Sequence, residues 1–288
     1  MHPPYLTPSA IRTFITAALL EDIGEGDHSS LGSIPEKKTT SARLLVKDNG
    51  IIAGVELAQM IFAEVDNSLR LELFKKDGDE VKRGDVAFIV HGPARSVLSA
   101  ERLVLNCMQR MSGIATYTHH LCQLLAGTKA RIMDTRKTTP NFRLMEKWAV
   151  HIGGGLNHRF ALYTMIMLKD NHVDMAGGIR QAILNTREYL KRSGRDLDIE
   201  IETRNLGEVD EVIATGGVDV IMLDNMSLAD MRTAVARVNG KYKTEASGGI
   251  TEGTLRQVAE CGVDYISVGA LTHSVKSLDL SLKVIKPE

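Results

Sequence analysis

The 288-residue chain carries almost no net charge. Its 35 lysines and arginines stand against 36 aspartates and glutamates, which leaves it at −1. That balance argues against a bulk attraction to nucleic acid or to an anionic membrane, so basic residues that matter must be focused locally. No apolar run approaches the roughly 20 residues that a membrane-spanning helix needs. The segment Met1–Ala10 is proline-rich and lacks the basic start and apolar middle of a secretory leader. Cysteine is scarce: Cys107, Cys122 and Cys261 are odd in number and form no CxxC pair. A disulfide framework and a structural zinc site are therefore not expected, and the three read as small buried apolar residues. What is present is an ordinary globular composition, 43% hydrophobic and 25% charged. The length suffices for one large α/β unit or two modest domains, and the expected compartment is the cytoplasm.

The character of the chain changes near residue 113. Before it, short β-like runs at 42–46, 50–55, 69–74 and 86–90 alternate with turns such as Asp77-Gly78-Asp79 and Arg83-Gly84-Asp85. Helices are expected over 7–20 and, with Ser99 as N-cap, over 99–111. In the second, Ala100, Val104, Cys107 and Met111 make an apolar stripe, while Arg102, Asn106 and Gln109 share a polar face. After residue 113 a strand–helix rhythm sets in. Apolar strands end at Met133, Leu168, Ile201, Leu223, Ala246 and Val268, with helical patterns such as 142–151, 178–191 and 227–238 between them. Gly217-Val218-Asp219-Val220-Ile221 returns as Gly262-Val263-Asp264-Tyr265-Ile266, a weak internal echo. Repeated strand–helix units with short links imply parallel strands and right-handed crossovers. Six such units, without a dinucleotide GxGxxG after the first, favour a closed or nearly closed barrel over a doubly wound sheet.

In such a barrel the C-terminal strand ends share one rim, where active sites sit. The residues after the six strands are Asp134-Thr135-Arg136-Lys137-Thr138, Lys169-Asp170-Asn171, Glu202-Thr203-Arg204-Asn205, Asp224-Asn225, Ser247-Gly248-Gly249 and Gly269-Ala270. One polar strand end means little, because loops are polar anyway; six in phase imply a pocket. Three chemical subsets converge there. Arg136, Lys137, His158, Arg159 and Lys169 are cationic, and clustering them is costly unless an anion sits among them. Each alone reads more simply as a surface ion pair. Glu202 and Asp224 close neighbouring strands, and two carboxylates with substrate phosphate oxygens suit Mg²⁺; the plainer reading pairs them with Arg136 or Lys169. Ser247, Gly248, Gly249, Gly269 and Ala270 precede helix-like stretches, where backbone N–H groups hold phosphate. His119-His120 reads as a solvated helix face, Gly153-Gly154-Gly155 as a helix stop, and the methionines as core filling.

These motifs resemble one family. Asp134-Thr135-Arg136-Lys137-Thr138-Thr139-Pro140, Gly153-Gly154-Gly155-Leu156-Asn157-His158-Arg159 and Leu168-Lys169-Asp170-Asn171-His172 are similar to quinolinate phosphoribosyltransferase, the carboxylating nicotinate-nucleotide pyrophosphorylase family. So are Glu202-Thr203-Arg204-Asn205, Leu223-Asp224-Asn225-Met226 and Ala246-Ser247-Gly248-Gly249-Ile250, with Glu21-Asp22-Ile23-Gly24 and Ser99-Ala100-Glu101-Arg102 nearer the N-terminus. The likeness spans nearly the whole chain in order. It implies an N-terminal open α/β sandwich domain (1–112), an incomplete α/β barrel of the type II phosphoribosyltransferases (113–272), and a tail (273–288) returning to the first domain. It implies transfer of phosphoribose from phosphoribosyl pyrophosphate to quinolinate with loss of CO₂, in NAD biosynthesis, by a homodimer with shared sites or a higher oligomer. By the same resemblance, Arg136, His158, Arg159 and Lys169, with Arg102 of a neighbouring subunit, bind quinolinate's carboxylates. Lys137 and Lys169 lie near the reacting centre. Glu202 and Asp224 serve the ribose and Mg²⁺, directly or through substrate or water, and Ser247, Gly248, Gly249, Gly269 and Ala270 hold the 5′-phosphate. Asn141 stands where the family favours glycine, Thr164 where it favours aspartate, and Ser29-Ser30 where threonine is usual. No nucleic-acid or membrane partner is expected.

Other readings stay open at this point. A same-family transferase acting on another ring, such as the molybdenum-locus homologues, shares most of the motifs. A Schiff-base aldolase would use Lys169 as nucleophile. A carrier module is suggested by residues 77–85, which resemble a turn of biotinyl and lipoyl half-barrels, although no attachment lysine accompanies them.

Overall fold

A computed structural model describes residues 3–285; residues 1–2 and 286–288, the outer ends of the expected first domain and tail, lie outside the described residues. The chain opens with α1 (Pro8–Ile23), α2 (His28–Ser33), β1 (Thr39–Val46), β2 (Gly50–Ile51), α3 (Val55–Val65), β3 (Arg70–Leu73), β4 (Glu80–Val81) and β5 (Val86–Pro93). Next come α4 (Ala94–Leu124), β6 (Arg131–Met133), α5 (Arg143–Ile152), β7 (Ile166–Leu168), α6 (Asp170–Ala176), α7 (Ile179–Ser193), β8 (Ile199–Thr203) and α8 (Leu206–Thr215). The last elements are β9 (Val220–Asp224), α9 (Leu228–Val238), β10 (Lys243–Ser247), α10 (Glu252–Ala259), β11 (Tyr265–Ser267), α11 (Ala270–His273) and β12 (Leu280–Val284). Among the described residues, no helix is long and apolar enough to cross a membrane.

The chain divides into two compact units. The first takes the described residues of Met1–His119, Thr138–Gly154 and Ala270–Glu288; the second takes His120–Lys137 and Gly155–Gly269. The division falls after His119, within α4 as residue 113 also does, and α5 and α11 group with the first unit. In that unit four antiparallel strands run β12-β1-β5-β3, and β12 pairs with β1 from Ala42↔Val284 to Val46↔Leu280. Thr7 caps α1, its Oγ1 accepting the Ala10 N–H at 3.2 Å, with proline at the first helical position. Two expectations fail here. The run 50–55 is a strand only at Gly50–Ile51; Val55, Ala58, Ile61 and Phe62 recur at helical spacing and bury the inner face of α3. The second helix starts at Ala94, directly after Pro93, so Ser99 lies inside it and donates to Asp27 Oδ2 at 3.4 Å instead of capping. Phe62 and Phe88 meet edge-to-face at 6.0 Å in this core.

The second unit is a six-stranded sheet ordered β6-β11-β10-β9-β8-β7, with all neighbours parallel. The strands run in sequence order from β7 to β11, and β6 and β7 remain unpaired to one another, so the barrel is open. Registers such as Ile201↔Ile221 and Leu223↔Ala246 align Ile132, Ile201, Leu223, Ala246 and Ile266 on one apolar face, wholly buried. By period two, the opposite face carries Met167, Glu200, Glu202, Met222, Asp224, Glu245 and Ser247. One face therefore builds the fold and the other holds the polar chemistry. Of the methionines, Met108, Met111 and Met222 fill cores, but Met175 is 88% exposed on α6, against the core-filling expectation.

Candidate active site

The polar face of the parallel sheet ends at a rim. Lys169, the residue after β7, places Nζ 4.0 Å from Glu202 Oε2 on β8. One strand on, Asp224 ends β9 level with Ser247 of β10. Burial raises the Glu202 carboxyl above its ordinary range, and the charge of Asp224 raises it further, with Lys169 opposing. Two carboxylates that repel across adjacent strands, facing a lysine, form a donor set that gains from a hard divalent cation sharing substrate oxygens.

Beyond Asp224 the chain turns sharply. Asn225 has φ 52, its Nδ2 donates to Asp224 Oδ2 at 2.7 Å, and its N–H donates to Ser247 O at 2.9 Å. Gly248 follows with φ 93, and a Cβ there would overlap the Asn225 amide. Only glycine meets both demands, so the Ser247-Gly248-Gly249 main chain lies open to a ligand.

The opposite lip is built on the free edge of β6. Leu156 runs parallel to Met133, its N–H donating to Ile132 O at 2.8 Å. Asp134, fully buried, then clamps the following loop: Oδ1 accepts the His158 N–H at 2.9 Å and Oδ2 accepts Asn157 Nδ2 at 2.6 Å. Arg159 is half-buried, with Nη1 donating to Met165 O at 3.4 Å. Burial lowers its guanidinium's pKa and the neighbouring Arg136 lowers it further, while Glu200 offsets both. Two guanidiniums in each other's field, partly withdrawn from water, are stabilised by an anion between them. Lys137 is exposed beside them, its N–H donating to Thr135 Oγ1 at 3.0 Å.

His158, expected in the cationic rim, is buried, with polar partners at both ring nitrogens. Its Nδ1 accepts the Arg159 N–H at 2.7 Å, so that nitrogen carries no proton. Nε2 carries it and lies 2.7 Å from Glu200 Oε2 and 3.5 Å from Glu245 Oε2. The imidazole is thus neutral and buried, with both nitrogens engaged inside the protein. His158, Glu200 and Glu245 have the spacing of a three-ligand cation site, their donor atoms within 4.8 Å of one another. A metal at Nε2 would require the ring proton on Nδ1, and the Arg159 N–H occupies that position.

Sequence reasoning placed Asp134 and Asn157 in motifs without giving them a role, and missed Glu200 and Glu245. A signal existed for the last two: Ile199-Glu200-Ile201 and Thr244-Glu245-Ala246 put a charge inside an apolar strand. Arg204, by contrast, ties helices together, with both its Nη atoms 3.1 Å from Asp174 and its Nε 2.9 Å from Glu208. Gly269 ends the second unit. Ala270 begins α11 and belongs with Arg102 to the first unit. Arg102 is exposed on α4 and makes no ion pair among the described residues, Glu101 included.

Comparison with known proteins gives the same picture over the whole chain. Residues 114–283 match the C-terminal domain of quinolinate phosphoribosyl transferase and residues 15–112 match its N-terminal domain. The chain is 46% identical over 298 residues to the chloroplastic nicotinate-nucleotide pyrophosphorylase [carboxylating] of Arabidopsis thaliana, covering 98% of this chain and 84% of the relative. It is 44% identical to a probable enzyme of the same name from Bacillus subtilis, covering 95% and 93%. The crystal structure of NadC from Streptococcus pyogenes superposes with a TM-score of 0.91 at 39% identity, covering 98% and 99%.

Proposed function

The chain belongs to the quinolinate phosphoribosyl transferase family, and from that premise we infer that it makes nicotinate mononucleotide. It is a carboxylating nicotinate-nucleotide pyrophosphorylase: phosphoribose passes from phosphoribosyl pyrophosphate to quinolinate, pyrophosphate leaves, CO₂ is lost, and the product enters NAD biosynthesis. The observation that carries this reading is the rim itself. Its Arg136–Arg159 pair suits a dianionic ring, its Glu202–Asp224 pair a metal-bound diphosphate, and its Ser247-Gly248-Gly249 turn a phosphate, all in a chain matched along 98% of its length.

Each residue then has a task. Arg136 and Arg159 pair with quinolinate's carboxylates as charge-assisted forks and orient the ring nitrogen toward the anomeric carbon. Lys169, 4.0 Å from Glu202, and Lys137 stabilise the negative charge that grows on the departing pyrophosphate. Glu202 and Asp224 position the ribose and would hold Mg²⁺, directly or through substrate or water. Mg²⁺, when bound, screens the charge of the diphosphate. Ser247, Gly248, Gly249, Gly269 and Ala270 hold the 5′-phosphate through backbone N–H groups. When the carboxylate beside the quaternised ring nitrogen departs as CO₂, the electron pair of the broken C–C bond stays on that ring carbon as a carbanion, which the positive nitrogen stabilises until a proton fills the position. The protein works as a homodimer, with Arg102 of one subunit completing the quinolinate site of the other. It does so in the cytoplasm, whose reducing conditions suit three cysteines free of disulfides.

The test is direct. The purified protein with quinolinate, phosphoribosyl pyrophosphate and Mg²⁺ is expected to release nicotinate mononucleotide and CO₂. Nicotinate, which lacks one carboxylate, leaves a guanidinium without its partner, and discrimination can reach about 10⁴-fold. Comparable efficiency on both substrates would contradict the assignment.

A further inference from the structure

Two glutamates lie behind the quinolinate site with no part in the reaction described above. Glu200 and Glu245 are both 0% exposed, on β8 and β10 of the parallel sheet. Burying an ionised carboxylate costs several kcal/mol even after relaxation. Leucine or methionine at the same positions would pack the core without that desolvation cost. A fold that keeps two such acids side by side uses them for something. Glu200 accepts from His158 Nε2 at 2.7 Å. Glu200 Oε1 and both oxygens of Glu245 are buried without a satisfied hydrogen bond, and two carboxylates facing each other are both acceptors, although His158 and the Ser267 hydroxyl beside Glu245 pull its pKa down. A single proton on Glu245 turns that impasse into a bond, with Glu245 donating to Glu200 and Glu200 remaining the acceptor for His158. Burial and the charge of Glu200 both favour the protonated form of Glu245.

We propose that Glu245 and Glu200 are positioning residues for quinolinate recognition, acting through His158 on the main chain of Arg159. The relay runs from Glu245 to Glu200, which with His158 keep their donor atoms within 4.8 Å of one another, then from Glu200 to His158 Nε2 at 2.7 Å, and from His158 Nδ1 to the Arg159 N–H at 2.7 Å. It fixes the tautomer and tilt of the imidazole. With Asp134 holding the His158 N–H from the other side, it pins the two residues from which the Arg159 side chain departs. In this arrangement His158 recognises quinolinate by holding Arg159 in place, not by offering its own ring N–H.

The inference rests on the quinolinate reading, and its test separates the two. Formation of nicotinate mononucleotide by the wild-type protein decides the reaction. Glu245→Gln retains an N–H aimed at Glu200 and is expected to keep the quinolinate KM within about twofold. Glu245→Leu has no donor and is expected to raise that KM by roughly tenfold or more, the effect of one lost buried hydrogen bond. Its KM for phosphoribosyl pyrophosphate should stay unchanged, which a general loosening of the fold would not allow. An active wild type with equal quinolinate KM values for both variants overturns the relay. Should the leucine variant fail to fold, ¹⁵N-histidine NMR of the wild type at pH 7 decides instead, with His158 assigned by difference against His158→Gln. One protonated and one bare ring nitrogen is expected, and two protonated nitrogens would overturn the proposal.

Discussion

At the scale of single residues, the site is organised by where charge is tolerated. Burial, and then the neighbouring charge of Arg136, lower the pKa of the Arg159 guanidinium, so it is held at some cost until an anion arrives. Replacing either with alanine is expected to weaken quinolinate binding by roughly 2–5 kcal/mol, the usual loss when one partner of a buried charge-assisted pair is removed. Calorimetric titration with quinolinate checks this, and unchanged affinity in both variants would remove them from the site. Glu245 makes a separate prediction about pH. Burial first, then the charge of Glu200, push its carboxyl up to about 8. Its folded value is therefore raised above the roughly 4.3 of an unfolded glutamate, so its contribution to stability is complete below that value. The contribution is lost progressively as pH rises toward about 8. Glutamine cannot ionise, so the melting temperature of the wild type should fall relative to Glu245→Gln between about pH 5 and pH 8. Parallel profiles for the two proteins would show that the carboxyl is not raised.

At the scale of elements, the turn after β10 is the least replaceable. Gly248 combines φ 93 with a position where a Cβ meets the Asn225 amide. Gly248→Ala is expected to cost roughly 1–3 kcal/mol in backbone strain. It should also raise the KM for phosphoribosyl pyrophosphate while sparing that for quinolinate, because the two substrates use different lips. Steady-state kinetics against both substrates read the split, and equal rises would place the defect elsewhere. The same conformational reasoning explains a departure from the family pattern. Asn141, where glycine is favoured, has φ 61, and asparagine tolerates that left-handed region better than other side chains. Elements also account for what was misread. Strand and helix were separable in the parallel half, where apolar runs end at polar rims. They were not separable at 50–65, where Ile51, Ile52, Val55 and Leu57 suit either period over a short window.

At the scale of the whole molecule, the proposed dimer is tested by complementation. Arg102→Ala and Lys137→Ala are each expected to be nearly inactive. Unfolded together and refolded, about half of the dimers pair one variant with the other. If Arg102 serves the partner subunit, each mixed dimer holds one site with both defects and one with neither. Activity then returns to roughly a quarter of wild type, with sites independent. No recovery, with mixed dimers verified by mass spectrometry, would assign Arg102 to its own subunit.

The sequence by itself determined the class of fold, the family and the chemistry of the rim. Those rest on local signals: apolar runs of strand length, the polar residues that follow each, and motifs such as Asp134–Pro140 whose residue types are required wherever they stand. Only the tertiary structure decided which charges meet. Glu200 and Glu245 lie 45 positions apart in the chain and become neighbours only when β8 and β10 flank β9 with these two side chains on the same face. His158 reads as a cation in the sequence, because histidine among arginines suggests an anion site. In the fold the Arg159 N–H and Glu200 lie against its two nitrogens, and those partners cannot be read from the sequence. Residue type is a property of the chain, but protonation state and hydrogen-bond partner are properties of the environment that packing creates.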